Sequence, residues 1–89
     1  MNKFKNFAEA KRALVIGSRW DCKFYGFGQI KKLGVRKVSI VQSNAVAFKT
    51  DKGDSWLYFP KAKDVRLTRK GFDIYEDNQK LLSYELIEK

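Results

Sequence analysis

From Ser18 onward, apolar and polar side chains alternate in short runs that glycine, asparagine or aspartate interrupts every eight to ten residues. Trp20, Cys22 and Phe24 alternate with Arg19, Asp21, Lys23 and Tyr25, a period of two that predicts a first strand with one apolar and one polar face. Gly26-Phe27-Gly28 breaks the pattern, and Gln29 to Gly34 reads as a loop carrying Lys31 and Lys32. Further strands are expected over Val35 to Gln42, Ala45 to Thr50 and Ser55 to Phe59, separated by turns at Ser43-Asn44 and Asp51-Lys52-Gly53-Asp54. Pro60 lacks an amide donor and ends the fourth run. Alternation resumes at Val65 to Thr68, Phe72 to Tyr75 and about Lys80 to Ile87, with turns at Lys70-Gly71 and over 76–79.

Only the first segment follows a helical period. Asn6 and Glu9 have the spacing of a capping box, with the Asn6 side chain on a first-turn amide and Glu9 reaching back to the Asn6 backbone. Phe7, Ala10 and Leu14 form one apolar stripe, and Gly17 supplies a stop, so a helix of about residues 6–14 is expected. The resulting class is mainly β with one short N-terminal helix (α+β). Six or seven strands, about residues 18–87, would form a small antiparallel barrel or an SH3-like or OB-like curled sheet. No repeat, low-complexity tract or linker divides residues 1–89, so one domain is expected.

Trp56 and Tyr58 alternate with Leu57 and Phe59, which puts large side chains on both faces of the fourth strand. One pair must point away from the core. Either the helix stripe covers that pair, the expected arrangement, or Trp56 and Tyr58 form a protein-binding patch.

Charge changes the picture most. The 89 residues hold 19 Lys and Arg against 10 Asp and Glu, a net charge of +9. Residues 1–40 carry ten bases and two acids, whereas residues 71–89 carry two and five. A field of this sign in so small a chain favours anionic partners, nucleic acid first among them. Arg19, Lys23, Tyr25, Phe27, Lys31, Lys32, Arg36 and Lys37 fall within nineteen consecutive residues and make the candidate binding patch, because cations track phosphates while rings stack on bases.

Other chemistry finds less support. The chain has no His and a single Cys, which argues against a catalytic triad, a zinc site or an internal disulfide. Cys22, between Trp20 and Phe24, reads as a small core residue. Asp51 and Asp54 read as turn residues, and Asp73, Glu76 and Asp77 as a solvated acidic edge. Neither catalysis, a cofactor nor a metal is expected. No run of about 20 apolar residues and no signal-peptide core follows the basic start, so a cytoplasmic protein is expected.

The segments Val41-Gln-Ser-Asn-Ala-Val-Ala-Phe-Lys-Thr and Ser55-Trp-Leu-Tyr-Phe-Pro-Lys-Ala, with the opening Asn6-Phe-Ala-Glu-Ala-Lys-Arg-Ala-Leu, resemble short uncharacterised proteins of Gram-positive phages and related mobile elements. The likeness spans most of the chain and implies only a context, since small phage proteins often regulate genes, handle nucleic acid or inhibit host defence enzymes, and act in the host bacterial cytoplasm if phage-encoded. It assigns no binding residues. Two functions follow as expectations. One is a nucleic-acid-binding module, for DNA or RNA, using the patch at residues 19–37. The other is an anti-CRISPR-like inhibitor that docks on a host defence nuclease or its ribonucleoprotein through protein or guide-RNA contacts.

Overall fold

The computed structural model describes residues 1–26 and 28–87. Asn6 caps the first element as its spacing predicts: its side-chain oxygen accepts from the Glu9 amide at 2.9 Å, and helix α1 follows over Phe7–Ala13. Glu9 closes the turn differently from expectation, since its carboxylate accepts from the Lys5 amide at 2.8 Å and not from Asn6. The helix ends at Ala13 with Leu14 turning inward as its C-cap, in line with the expected span of about residues 6–14.

Seven strands follow: β1 Arg19–Gly26, β2 Gln29–Val41, β3 Ala45–Thr50, β4 Gly53–Tyr58, β5 Val65–Leu67, β6 Gly71–Glu76 and β7 Gln79–Ile87. They form one antiparallel sheet in the order β4-β3-β2-β1-β7-β6-β5, two meanders joined where β1 pairs with β7. The sheet is not closed into a barrel, because β4 and β5 remain as edges.

It is nevertheless strongly curled. Phe48 on β3 stacks on Tyr84 on β7 with ring centroids 5.4 Å apart, although β2 and β1 lie between their strands. In a flat sheet those strands would stand roughly 14 Å apart at ~4.8 Å per strand. The inner face holds the core: Trp20, Cys22, Val38, Val46, Phe48, Leu57, Phe72, Ile74 and Tyr84. Helix α1 fills the gap that the strands leave open. Phe7 packs edge-on against Phe59, just past β4, and against Phe72 on β6, with centroids 6.2 and 5.3 Å away. Phe4 stacks on Trp20, and the Lys3 amide donates to the Arg69 carbonyl at 2.9 Å, anchoring the segment before the helix.

Two expectations are corrected at this level. Gln29 to Gly34 is not a loop but the first half of β2, so Lys31 and Lys32 sit on a strand. Leu33 is an extra residue between the pairs Cys22↔Gly34 and Lys23↔Lys32, and Gly34 takes φ +87° beside it. That bulge hides the strand from a period-two reading. The helix, in turn, covers the Leu57 and Phe59 side of β4 and leaves Trp56 and Tyr58 exposed.

Candidate nucleic-acid interface

The pleat of β1 sends Trp20 and Cys22 into the core and Arg19, Asp21, Lys23 and Tyr25 to the outer face. Pairing then sorts the neighbours. Arg19 is opposite Lys37 on β2, and Lys37 is opposite Lys49 on β3, so three cations from three strands form one row across the outer face. All three side chains are exposed, and among the described residues none of them enters an ion pair. Beyond Lys49 the register reaches Asp54 on β4, which accepts a hydrogen bond from the Ser39 hydroxyl at 3.0 Å.

Next to this row on β4 stand Trp56 and Tyr58, on the same outer face. They pair with Ala47 and Ala45, whose side chains are fully covered although neither belongs to the core cluster. Small residues opposite large rings let the rings lie against the sheet. The rings are nearly parallel, 24° apart with centroids 6.2 Å from each other. Trp56 is 39% and Tyr58 66% exposed, a large apolar surface to leave in water on an edge strand.

The predicted patch divides accordingly. Arg19 and Lys37 come together in the row, and Lys23 and Lys32 come together as a second cross-strand pair. Asp21 and Val35 lie between the two groups, and Asp21 is also opposite Glu85 on β7. Lys31 is exposed but faces away from that pair, opposite Phe24 near the hairpin end. Phe27 lies outside the described residues.

Two members of the patch stand apart from the exposed cation pairs. Arg36 is opposite Trp20 and shares the inner face with Val38; its guanidinium is near enough to the Cys22 thiol and the Tyr84 phenol to favour their ionised forms. Burial outweighs that influence, pushing the Cys22 thiol up to about 12 and the Tyr84 phenol above its ordinary value. Tyr25 does reach the outer face, but the Lys80 ammonium sits 4.9 Å over its ring. The same ammonium pairs with Asp73 at 3.3 Å, and the hydrogen bond and charge of that carboxylate raise the Lys80 pKa. Asp73 is therefore a buried ion-pair partner and not part of a solvated acidic edge.

Lys49 was missed by sequence reasoning, although the alternation of Val46 and Phe48 with Lys49 already assigns it to the outer face. Its partnership with Lys37 and Arg19 depends on register, which local pattern does not contain. Among the described residues no group of His, Cys, Asp or Glu is placed to hold a metal ion, and no helix is long and apolar enough to cross a membrane.

The chain matches no family model, no curated protein and no solved structure.

Proposed function

We propose that this protein is a binding module for nucleic acid and not an enzyme, acting in the bacterial cytoplasm, and that the outer face of β1 to β4 is its interface. The observation that carries the reading is the row Arg19, Lys37 and Lys49, three exposed cations without ion-pair partners, next to the exposed rings Trp56 and Tyr58. Like charges held side by side repel one another, and a polyanion relieves that repulsion while releasing its own counterions. The reading treats the curled sheet as a platform of the SH3-like or OB-like kind, on which cations and aromatic side chains share one surface. The buried Cys22, with its thiol pushed up to about 12, supports binding over covalent chemistry.

Fluorescence anisotropy of labelled DNA and RNA over a salt series tests this. Binding that weakens steeply with salt and is lost on neutralising the row supports the reading; salt-independent binding, or none at low salt, refutes it. A second reading has one specific observation behind it: the ring pair lies on edge strand β4, where a protein partner could dock. In that case the module inhibits a host nuclease or ribonucleoprotein. Replacing the rings would then abolish partner capture and leave nucleic-acid affinity unchanged.

A further inference from the structure

We infer that the ligand of this face is single-stranded and that it crosses the strands of the sheet, its phosphates along Arg19, Lys37 and Lys49 and its bases on Trp56 and Tyr58. The inference rests on the nucleic-acid reading and deepens it.

The rings decide strandedness. A duplex buries the π-faces of its bases in its own stack, so two exposed aromatic faces on a sheet gain nothing from it beyond edge contacts. Unpaired bases offer both faces. The cations reach only one side of the ring pair, from β3 through β2 to β1, which suits a single backbone with bases turned to one side.

Direction follows from the acids. From Arg19, the sheet continues to Ile87 on β7, and the adjoining register holds the carboxylates Asp21 and Glu85 opposite each other. A phosphate chain continuing that way meets two negative charges. Toward β4 it meets Lys37 and Lys49 and is stopped by Asp54, in register with Lys49, which leaves the bases to turn along β4 onto Trp56, two residues on, and Tyr58. The track from β1 to β4 crosses three inter-strand gaps, roughly 14 Å at ~4.8 Å each. At ~3.4 Å per stacked nucleotide this is about four nucleotides, at the lower end of what small β domains occupy.

Tyr25, the ring that the chain's basic stretch advertises, does not serve. Lys80 occupies its face and is itself held by Asp73. Tyr75 is covered in the same way by Arg66, whose guanidinium carbon lies 4.5 Å from the ring centroid. Trp56 and Tyr58 are the exposed pair.

The test compares a short single-stranded DNA, the same length of single-stranded RNA and the corresponding DNA duplex against wild type, Tyr58→Ala, Trp56→Ala and Trp56→Phe. A preference for single strands, a loss of about 5-fold to 100-fold in single-strand affinity on removing either ring, and rescue by Trp56→Phe support the inference. Tyr58→Ala keeps the test open should Trp56→Ala fold poorly, because Tyr58 is the more exposed ring. Equal affinity for duplex and single strand, with the ring variants unaffected, overturns the single-strand inference while leaving the nucleic-acid reading in place. No salt-sensitive binding to any of the three overturns both.

Discussion

Neutralising the cation row is the perturbation with the most determinate outcome. In the variant Arg19→Gln, Lys37→Gln, Lys49→Gln, three side chains that are exposed and adjacent by register lose their charge, and no ion pair among the described residues is broken. If each cation meets one phosphate, counterion release gives log K a slope against log salt of about −0.7 per contact on a single strand, or about −2 for the row. Raising salt fourfold, from 50 to 200 mM, should then weaken wild-type binding roughly 20-fold, and each single substitution should flatten the slope by about 0.7. A control variant, Lys5→Gln, Lys63→Gln, Arg69→Gln, removes the same charge from exposed positions outside the seven strands. Both variants fall from +9 to +6, so a difference between them reports location and not net charge. Anisotropy titrations at four salt concentrations read the slopes, and circular dichroism confirms the fold. Equal weakening in the two variants, or an unchanged slope in the row variant, refutes the argument.

Three further outcomes follow from the packing. A Cβ at Gly71 would collide with the Tyr84 carbonyl oxygen on the paired strand, so Gly71→Ala should cost about 2 kcal/mol or more and lower Tm by about 8 °C or more; a melt within 2 °C of wild type would contradict the close approach. Cys22 ionises near 9.0 when unfolded but is pushed up to about 12 by burial, so above pH 9 the unfolded state loses a proton that the folded state keeps. Stability from this group is complete below pH 9 and falls by about 1.4 kcal/mol per pH unit as pH rises toward 12. Cys22→Ala should delay the decline until Tyr84, raised in the same sense, takes over above pH 10, and denaturant midpoints at pH 8 to 11 measure it. Asp21 and Glu85 are like charges directly opposite each other, so Asp21→Asn should stabilise by about 0.2 to 1 kcal/mol, and a lower Tm would count against that repulsion.

Local signals in the sequence carried most elements. Asn6 announced the helix, Asp51 to Asp54 announced the β3–β4 turn, and β3 runs over the very residues its alternation predicted. Where the chain departs from period two, the reading failed. Lys31, Lys32 and Leu33 run together without alternation because Leu33 is a bulge, so the strand reads locally as a loop. Arg36 was legible in principle, since counting back two from Val38 turns it inward; composition drew it into the patch instead. Trp56 and Tyr58 were ambiguous because both faces of β4 are apolar, and only the seating of Phe7 against Phe59 settles which face the helix takes. The site depended most on register between distant strands. Lys80 reaches Tyr25 because β7 pairs with β1, and Lys49 joins Lys37 and Arg19 because β3 pairs with β2; no window along the chain contains either relation.

The outer face is divided by how its charges are used. On β5, β6 and β7, the cations have internal partners: Arg66 lies over Tyr75, and Lys80 is shared between Asp73 and Tyr25. On β1, β2 and β3, by contrast, Arg19, Lys23, Lys32, Lys37 and Lys49 lie opposite one another without ion pairs among the described residues. A surface kept charged only for solubility intersperses both signs, and this chain has the acids to do so. Here Asp21 stands between the two cation groups and Asp54 follows Lys49, yet among the described residues neither forms an ion pair with the cations, and Asp21 faces Glu85. Repulsion is thus tolerated twice, between cations and between carboxylates, where a single exchange would have relieved both. On the proposed reading, that cost to the free protein is recovered when phosphates occupy the cation row, bounded by Asp21 and Glu85 at one end and Asp54 at the other, with Trp56 and Tyr58 beside it for the bases.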